Sequence, residues 1–146
     1  MKVKMLAIGF AAALAVAVPA FGGGQAIFAK AIAVGTMKPT TIQTKGGAMV
    51  LDSITIAPGG NFGWHVHSAP VAVVVTHGTL TVFDPSVDGC APFKVPKGSS
   101  FVEPANHVHL ARNDGKSPVT LYALYMGIPS GAGANIPKKQ PAGCNA

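Results

Sequence analysis

The stretch GWHVHSAPVAVVVTHG, Gly63 to Gly78, contains two histidines one residue apart, a valine run and a third histidine beside a glycine. Side chains alternate between the two faces of a β-strand, so His65 and His67 are expected to lie side by side on one face. That arrangement suits two ligands of one metal ion. The other interpretation is a buried strand whose histidines hydrogen-bond to the backbone.

A second pair, His107 and His109, repeats the His-x-His spacing about 40 residues later. The two pairs would converge if their strands faced each other across a small barrel. Two such pairs in one small domain favour a metal site over isolated buried histidines. Ligation also requires neutral imidazoles that are held in place by hydrogen bonds to outer groups.

The segments around these histidines are short, rich in β-forming residues and separated by turn signals. Between Thr36 and Gly127 we find no helical periodicity. The predicted strands lie within AMVLDSITIAP, WHVH, VAVVVTHG, TLTVFD, FKVP, SSFVEPAN, HVHLAR and VTLYALYMG. Evenly spaced short strands with Gly and Pro turns predict an all-β sandwich or barrel. The barrel domain is expected to span residues 36–127.

Two ordered motifs in this region resemble those of the cupin superfamily. The first, G-x5-H-x-H-x3,4-E-x6-G, is matched at Gly59, His65, His67 and Gly78. The second, P-x-G-x2-H-x3-N, is matched at Pro104, His109 and Asn113. The resemblance covers roughly residues 45–127 and is to a small, single-barrel type-2 cupin. It implies a jelly-roll β-barrel with an open metal site, whose imidazole ligands are His65, His67 and His109.

The chain departs from the cupin pattern at two positions. Asn106 stands where the second motif has glycine, and asparagine tolerates the left-handed backbone conformation that such a turn needs. The motif glutamate should fall at or near Val71, in a run that contains no donor side chain. Without that carboxylate the site carries one more unit of positive charge, which favours an anionic or bidentate substrate or a metal-bound hydroxide.

Three other side chains are candidates to replace the missing glutamate. His77 lies six residues beyond Val71, about 20 Å along an extended strand, so we expect a turn residue at the barrel rim whose replacement by alanine keeps the metal. Glu103, the only glutamate, is a candidate fourth or outer-sphere ligand, although a surface or rim carboxylate is the favoured interpretation. His107 is a further candidate ligand or outer-sphere partner, because the turn at Pro104–Asn106 leaves its orientation open.

Three neutral imidazoles with open coordination positions are typical of a reactive metal site. The expected cofactor is one divalent transition metal: Fe, Mn, Zn, Ni or Cu. Some cupin dioxygenases use three histidines without glutamate, so the resemblance implies a dioxygenase-like enzyme that acts on a small organic molecule. The alternative is a non-catalytic cupin module that binds metal or a small ligand. Hydrolytic or isomerase chemistry is a third option, but the sequence near the motifs contains no second acid or base to support it. No individual catalytic residue is predicted.

The beginning of the chain has the order of a secretory signal peptide. MKVKM carries two lysines, LAIGFAAALAVAV is apolar, and small residues follow. Residues 1–29 are the predicted signal peptide, with cleavage after Ala20, Ala29 or Ala31. The alternative is an uncleaved membrane anchor at residues 5–29, since a bilayer span takes about 20 residues. Cleaved export, to the periplasm or out of the cell, is the favoured prediction.

Cys90 and Cys144 are the only cysteines, and in an exported chain such a pair predicts a disulfide. Cys90 follows a turn-rich loop. Cys144 lies in residues 128–146, a C-terminal tail with too much proline and glycine for regular structure. The bridge is expected to pin that tail to the loop.

The charge distribution bears on the partners. The net charge is +6, but the lysines are scattered and no basic run is interleaved with aromatic residues. A solvated surface is therefore favoured over a nucleic-acid-binding face. The expected partner is a small-molecule substrate or ligand, with no membrane contact after cleavage. The resemblance to small cupins, which commonly pair through edge strands, adds a homodimer as a candidate assembly.

Overall fold

Nine β-strands and no helix make up the described part of the chain. The computed structural model describes residues 30–146, so the predicted signal peptide at residues 1–29 lies outside the described residues. The strands belong to one compact unit, Ile32–Ala146. They are β1 Ala48–Ile56, β2 His65–His67, β3 Val71–His77, β4 Thr79–Phe83, β5 Phe93–Pro96, β6 Ser100–Glu103, β7 Leu110–Arg112, β8 Val119–Ile128 and β9 Asn135–Pro137. Within residues 30–146 no helix could span a membrane. The all-β prediction is confirmed: seven of the predicted segments contain β1 to β7, and the eighth covers β8 except for its last residue, Ile128.

The strands form three antiparallel sheets. The largest has the order β1-β8-β3-β6, a second has the order β5-β4-β7, and β2 pairs with β9. The main hydrophobic core combines the inward faces of β3 and β8 with Leu80 and Val82 of β4. A second apolar cluster forms around Trp64, Phe83 and Leu110.

The valine run shows why this sequence forms a central strand. Val71, Val73 and Val75 are buried, whereas Ala72 and Val74 between them are only partly covered. Strand β3 lies between β8 and β6, and β-branched side chains suit such a pleated surface. This period-2 burial directs position 71 into the barrel.

Backbone pairing brings the two His-x-His segments together. His65 and His109 form an antiparallel bridge, with N–H···O=C distances of 3.0 Å in both directions. Among the described residues, the three-residue strand β2 pairs with β9 on one side and forms this single bridge to His109 on the other. The predicted convergence of the two segments is therefore confirmed.

Two motif positions adopt the left-handed backbone conformation. Gly78 has φ 73°, and a Cβ there would lie 2.9 Å from the carbonyl oxygen of Pro118. Asn106 has φ 59°, so asparagine keeps the turn for which the cupin motif uses glycine. The motif asparagine, Asn113, is fully buried. Its amide donates to the carbonyls of Ile56 and Ser117 and so ties the end of β1 to the loop before β8.

The C-terminal tail differs from its prediction. Residues 128–146 were expected to lack regular structure, but Asn135–Pro137 form β9. Strand β2 has three residues, so a segment of three residues in the tail is sufficient to pair with it. Proline is tolerated at the end of such an edge strand because it lacks only a ladder donor.

The predicted disulfide is confirmed. Cys90 and Cys144 are joined, with 5.2 Å between their Cα atoms. Both residues are buried against Trp64 and Leu110 in the second apolar cluster. The bridge fixes the end of the tail beside the segment that leads into β2.

Candidate metal centre

Three histidines meet inside the barrel. His65 and His67 lie on β2, and His109 directly precedes β7. Their rings are buried, with 2–4% of each residue exposed, and their centroids lie 4.4 to 4.9 Å apart. One nitrogen from each ring lies within 4.8 Å of the others. The structure thus brings together the three imidazoles that the sequence predicts as ligands.

Each of these rings is held by a backbone carbonyl. The Nδ1 atom of His65 is 2.9 Å from the oxygen of Gly63, that of His67 is 2.9 Å from Ala134, and that of His109 is 3.0 Å from His107. A carbonyl oxygen can only accept a hydrogen bond, so each Nδ1 carries the hydrogen.

In the neutral form of each ring the lone pair is therefore on Nε2, the atom that a metal binds. The buried-histidine interpretation explains the three Nδ1 contacts but not the convergence of three ring nitrogens at one point. The Nε2 atom of His109 is buried and has no aligned hydrogen-bond partner among the described residues. The site therefore fits a metal ion by its donor set and by this unsatisfied atom.

Glu103 lies in the same cluster, which corrects the sequence-based preference for a surface or rim carboxylate. It is 9% exposed. One carboxylate oxygen is 3.1 Å from Nε2 of His67, and the other is 3.2 Å from Nε2 of His109. The contact between Glu103 and Nε2 of His109 is short, but its atoms are not aligned as in a hydrogen bond. The cross-strand pairing of Glu103 with Val71 directs it inward, and a single sequence does not show such pairing.

The pKa values of the cluster reflect burial and mutual contact. Burial alone would raise the pKa of Glu103, but His109 and His67 lower it to about 2. Burial alone would lower the pKa of His109, but the carboxylate of Glu103 raises it. For His65 burial dominates and lowers the pKa, which favours its neutral, ligating form. Without metal, the cluster is a buried carboxylate facing imidazole rings, one of which has a raised proton affinity.

The other two histidines do not join the cluster. The side chain of His107 points to Asp84, with Nε2 2.7 Å from Oδ1, so its candidate role as a ligand is wrong. The turn that ends at Asn106 orients this ring away from the cavity, while the backbone carbonyl of His107 accepts the hydrogen bond from His109. His77 ends β3 and is exposed, as a turn residue at the rim should be.

The cavity beside the His65 and His67 rings is small. Its free volume is about 30 Å³, and its buried wall is largely aliphatic. The Tyr125 ring meets the His67 ring edge-on at a centroid distance of 5.4 Å. Phe62, 41% exposed, lies 5.9 Å from the His65 ring, and with exposed Asn135 it forms the open side of the lining. The space accommodates an ion with a water-sized ligand, and a larger molecule requires Phe62 or Asn135 to move.

The depressed pKa of Glu103 predicts an acid-dependent loss of stability in metal-free protein. A carboxylate whose folded pKa is lowered stabilises the fold above its unfolded value, here 4.5, and loses that contribution as the pH falls toward about 2. This difference between the folded and unfolded pKa values corresponds to a contribution on the order of 3 kcal/mol to the free energy of unfolding. The free energy of unfolding is measured with urea for chelator-treated wild type and Glu103→Gln at pH values from 5 down to 2. The difference between the two proteins should become smaller as the pH falls. A constant difference would contradict the predicted linkage.

Comparison with known proteins supports the same fold. The polyketide cyclase RemF from Streptomyces resistomycificus is 14% identical, with a TM-score of 0.53 over 67% of this chain and 66% of that chain. The oxalate decarboxylase of Bacillus subtilis is 17% identical, with a TM-score of 0.52 over 62% of this chain and 24% of that chain. A cupin domain from Bordetella pertussis is 24% identical, with a TM-score of 0.47 over 59% of this chain and 88% of that chain.

The likenesses to the cyclase and to the decarboxylase concern the fold alone, and they agree with the predicted jelly-roll barrel. The chain spans about two thirds of the cyclase and about a quarter of the decarboxylase. No curated protein matches it. The model of the cupin domain family matches residues 53–125, which include His65, His67 and His109. Because that match covers half of the sequence, the chain belongs to the cupin domain family.

Proposed function

We propose that this cupin holds one divalent transition metal ion through Nε2 of His65, His67 and His109. The observation that carries the proposal is the set of three Nδ1–H donors, each bonded to a backbone carbonyl, which leaves three Nε2 lone pairs in one buried cluster. Imidazole donors suit Fe(II), Mn(II), Ni(II), Cu(II) and Zn(II). The similar decarboxylase from Bacillus subtilis has Mn(II) centres, which supports including manganese among the first metals tried.

For the reaction we propose dioxygenase-like chemistry on a small organic molecule. A redox-active ion held by three imidazoles supplies a binding position for dioxygen or for substrate. The chain itself contributes an aliphatic wall, which limits water at the site, and fixed ring orientations. Phe62 and Asn135 on the open side are the residues that would contact an entering organic molecule.

A second candidate function, a non-catalytic module that binds metal or a small ligand, is favoured by the cavity. A free volume of about 30 Å³ holds far less than the few hundred Å³ that sites for drug-sized ligands provide. Among residues 30–146, the lining has one ionisable carboxylate, Glu103, and no lysine or arginine. These features suit an ion and a very small ligand as they stand.

The test begins with elemental analysis of the untagged protein, purified without chelator. We expect about one transition metal per chain. Oxygen uptake with candidate phenols and diketones then separates the two functions, because turnover supports the enzyme and a metal-loaded but inert protein supports the binding module. Protein that takes up none of the five metals, either during expression or from solution, would contradict both.

We further propose that the chain is exported, with residues 1–29 as its signal peptide. The Cys90–Cys144 disulfide supports this proposal, because structural disulfides persist mainly in oxidising compartments. Sequencing of the mature N-terminus in periplasmic and culture fractions tests it. A start near Lys30 or Ile32 supports cleavage, whereas an intact N-terminus in the membrane fraction supports the anchor at residues 5–29.

A homodimer paired through edge strands is also proposed. Strand β1 is at an edge of the four-stranded sheet, and its outer face exposes 72% of Met49 and 55% of Leu51. Apolar side chains on an edge strand favour pairing with another chain. Sedimentation analysis of wild type and of Leu51→Lys tests the proposal, since the charged variant should be monomeric if this edge is the interface.

A further inference from the structure

We propose that Glu103 is the fourth protein ligand of the metal ion, in place of the glutamate that is missing at Val71. The inference rests on the proposed three-histidine site. It adds a donor from β6, at a position outside both cupin motifs. The donor set would then be three imidazoles and one carboxylate.

The register of the sheet explains how a carboxylate on another strand can do this. Val71 on β3 is paired with Glu103 on β6. Directly opposite residues in an antiparallel pair project from the same face, with Cβ atoms about 5 Å apart. Glu103 therefore enters the barrel beside the position from which the motif glutamate would project. A glutamate side chain is long enough to make up that sideways displacement.

The burial and the charge of Glu103 favour a metal cation at this place when the neighbouring imidazoles are neutral. Its side chain is 10% exposed, and a buried carboxylate is costly unless it is paired. Among residues 30–146, its charged contacts are with the rings of His67 and His109, and no lysine or arginine lies within 4.0 Å. Once those rings are neutral ligands, the metal ion is the group that can compensate the carboxylate charge.

The distances fit shared coordination. The carboxylate oxygens lie 3.1 and 3.2 Å from the Nε2 atoms of His67 and His109. Two donors in adjacent positions of an octahedral ion, each about 2.1 Å from the metal, are separated by about 3 Å. The carboxylate thus already stands at the spacing of neighbouring ligands. The misaligned contact at His109 is what two acceptors facing one ion would show.

The carboxylate changes what the site should bind. With Glu103 as a ligand, a divalent ion and its protein donors carry a net charge of +1, whereas three neutral imidazoles alone leave +2. The expected preference for an anionic or bidentate substrate or a metal-bound hydroxide depended on the missing carboxylate, and a Glu103 ligand would weaken it. A hard oxygen donor beside three imidazoles favours divalent ions such as Mn(II), Fe(II), Co(II) and Zn(II) over soft Cu(I).

A crystal structure of wild type loaded with Co(II) tests the assignment directly. We expect a Glu103 oxygen within about 2.2 Å of the ion, together with the three histidine nitrogens. Chelator competition, with Co(II) as the probe, should show that Glu103→Gln weakens binding at least about ten-fold. Asp114→Asn is the matched control, because it removes a carboxylate that contacts Lys94 and Arg112 and should leave binding unchanged.

The possible outcomes separate this inference from the proposed function. Cobalt held by the three histidines, with Glu103 more than 3 Å from the ion, would overturn the fourth ligand and leave the three-histidine site in place. Unchanged affinity in folded Glu103→Gln would do the same. Wild type that binds neither Co(II) nor any of Fe(II), Mn(II), Ni(II), Cu(II) and Zn(II) would overturn both. If Glu103→Gln does not fold, as judged by circular dichroism, the wild-type crystal structure still decides.

Discussion

Replacing His67 by alanine is expected to abolish stoichiometric metal binding while the barrel remains folded. The substitution removes one of the three buried imidazoles that are proposed to hold the ion. Loss of an outer-sphere partner alone typically costs 10- to 100-fold in affinity, so we expect loss of a ligand to cost more than about 100-fold. The His67 ring also donates a hydrogen bond to the Ala134 carbonyl in the C-terminal tail. Because His67→Ala would remove this tail contact as well, a second ligand variant is needed.

His109→Ala is that second variant, because it removes a donor without touching the tail. His77→Ala is the matched control, since His77 is exposed and outside the cluster, and it should retain one metal per chain. Metal content by mass spectrometry, affinity by chelator competition and fold by circular dichroism are measured on all three. Near-stoichiometric metal of unchanged affinity in folded His67→Ala and His109→Ala would rule out the three-histidine centre.

Removing the disulfide is expected to destabilise the protein and to weaken the metal site. The bond closes a loop with a sequence separation of 54 residues, and the chain-entropy model gives about 4 kcal/mol for a loop of that size. The same bond holds the tail whose β9 pairs with β2 and whose Ala134 carbonyl orients His67. We therefore expect Cys90→Ala/Cys144→Ala to lower the free energy of unfolding by about 4 kcal/mol and metal affinity by about ten-fold.

The double variant is preferable to chemical reduction, because thiol reductants bind transition metals themselves. Urea unfolding of the metal-free proteins gives the stability change, and chelator competition gives the affinity change. Ser68→Ala is the control for one lost tail contact, since it removes only the hydroxyl bond to Gly133, worth about 1 kcal/mol. If the double variant bound metal as tightly as wild type, the tail would have no role in holding His67.

Features that depend on local sequence were predicted well. The valine run and the His-x-His pairs follow the period-2 alternation of a strand, so their burial and shared face could be stated beforehand. Asn106 marked a left-handed turn because few residues tolerate that conformation. The two cysteines left one pairing within the chain.

The sequence by itself therefore determined the eight strands β1 to β8 and the two cupin-like motifs, because each has a short-range pattern, and the resemblance to cupins implied that His65, His67 and His109 meet. Only the tertiary structure decided the roles of Glu103, His107 and the tail. Glu103 turns inward through its register with Val71 on another strand, and the turn at Asn106 directs the His107 ring to Asp84. The Ala134 carbonyl reaches His67 because β9 pairs with β2. Such contacts depend on cross-strand register and on backbone groups that every residue carries. Neither produces a pattern that can be recognised in a single sequence.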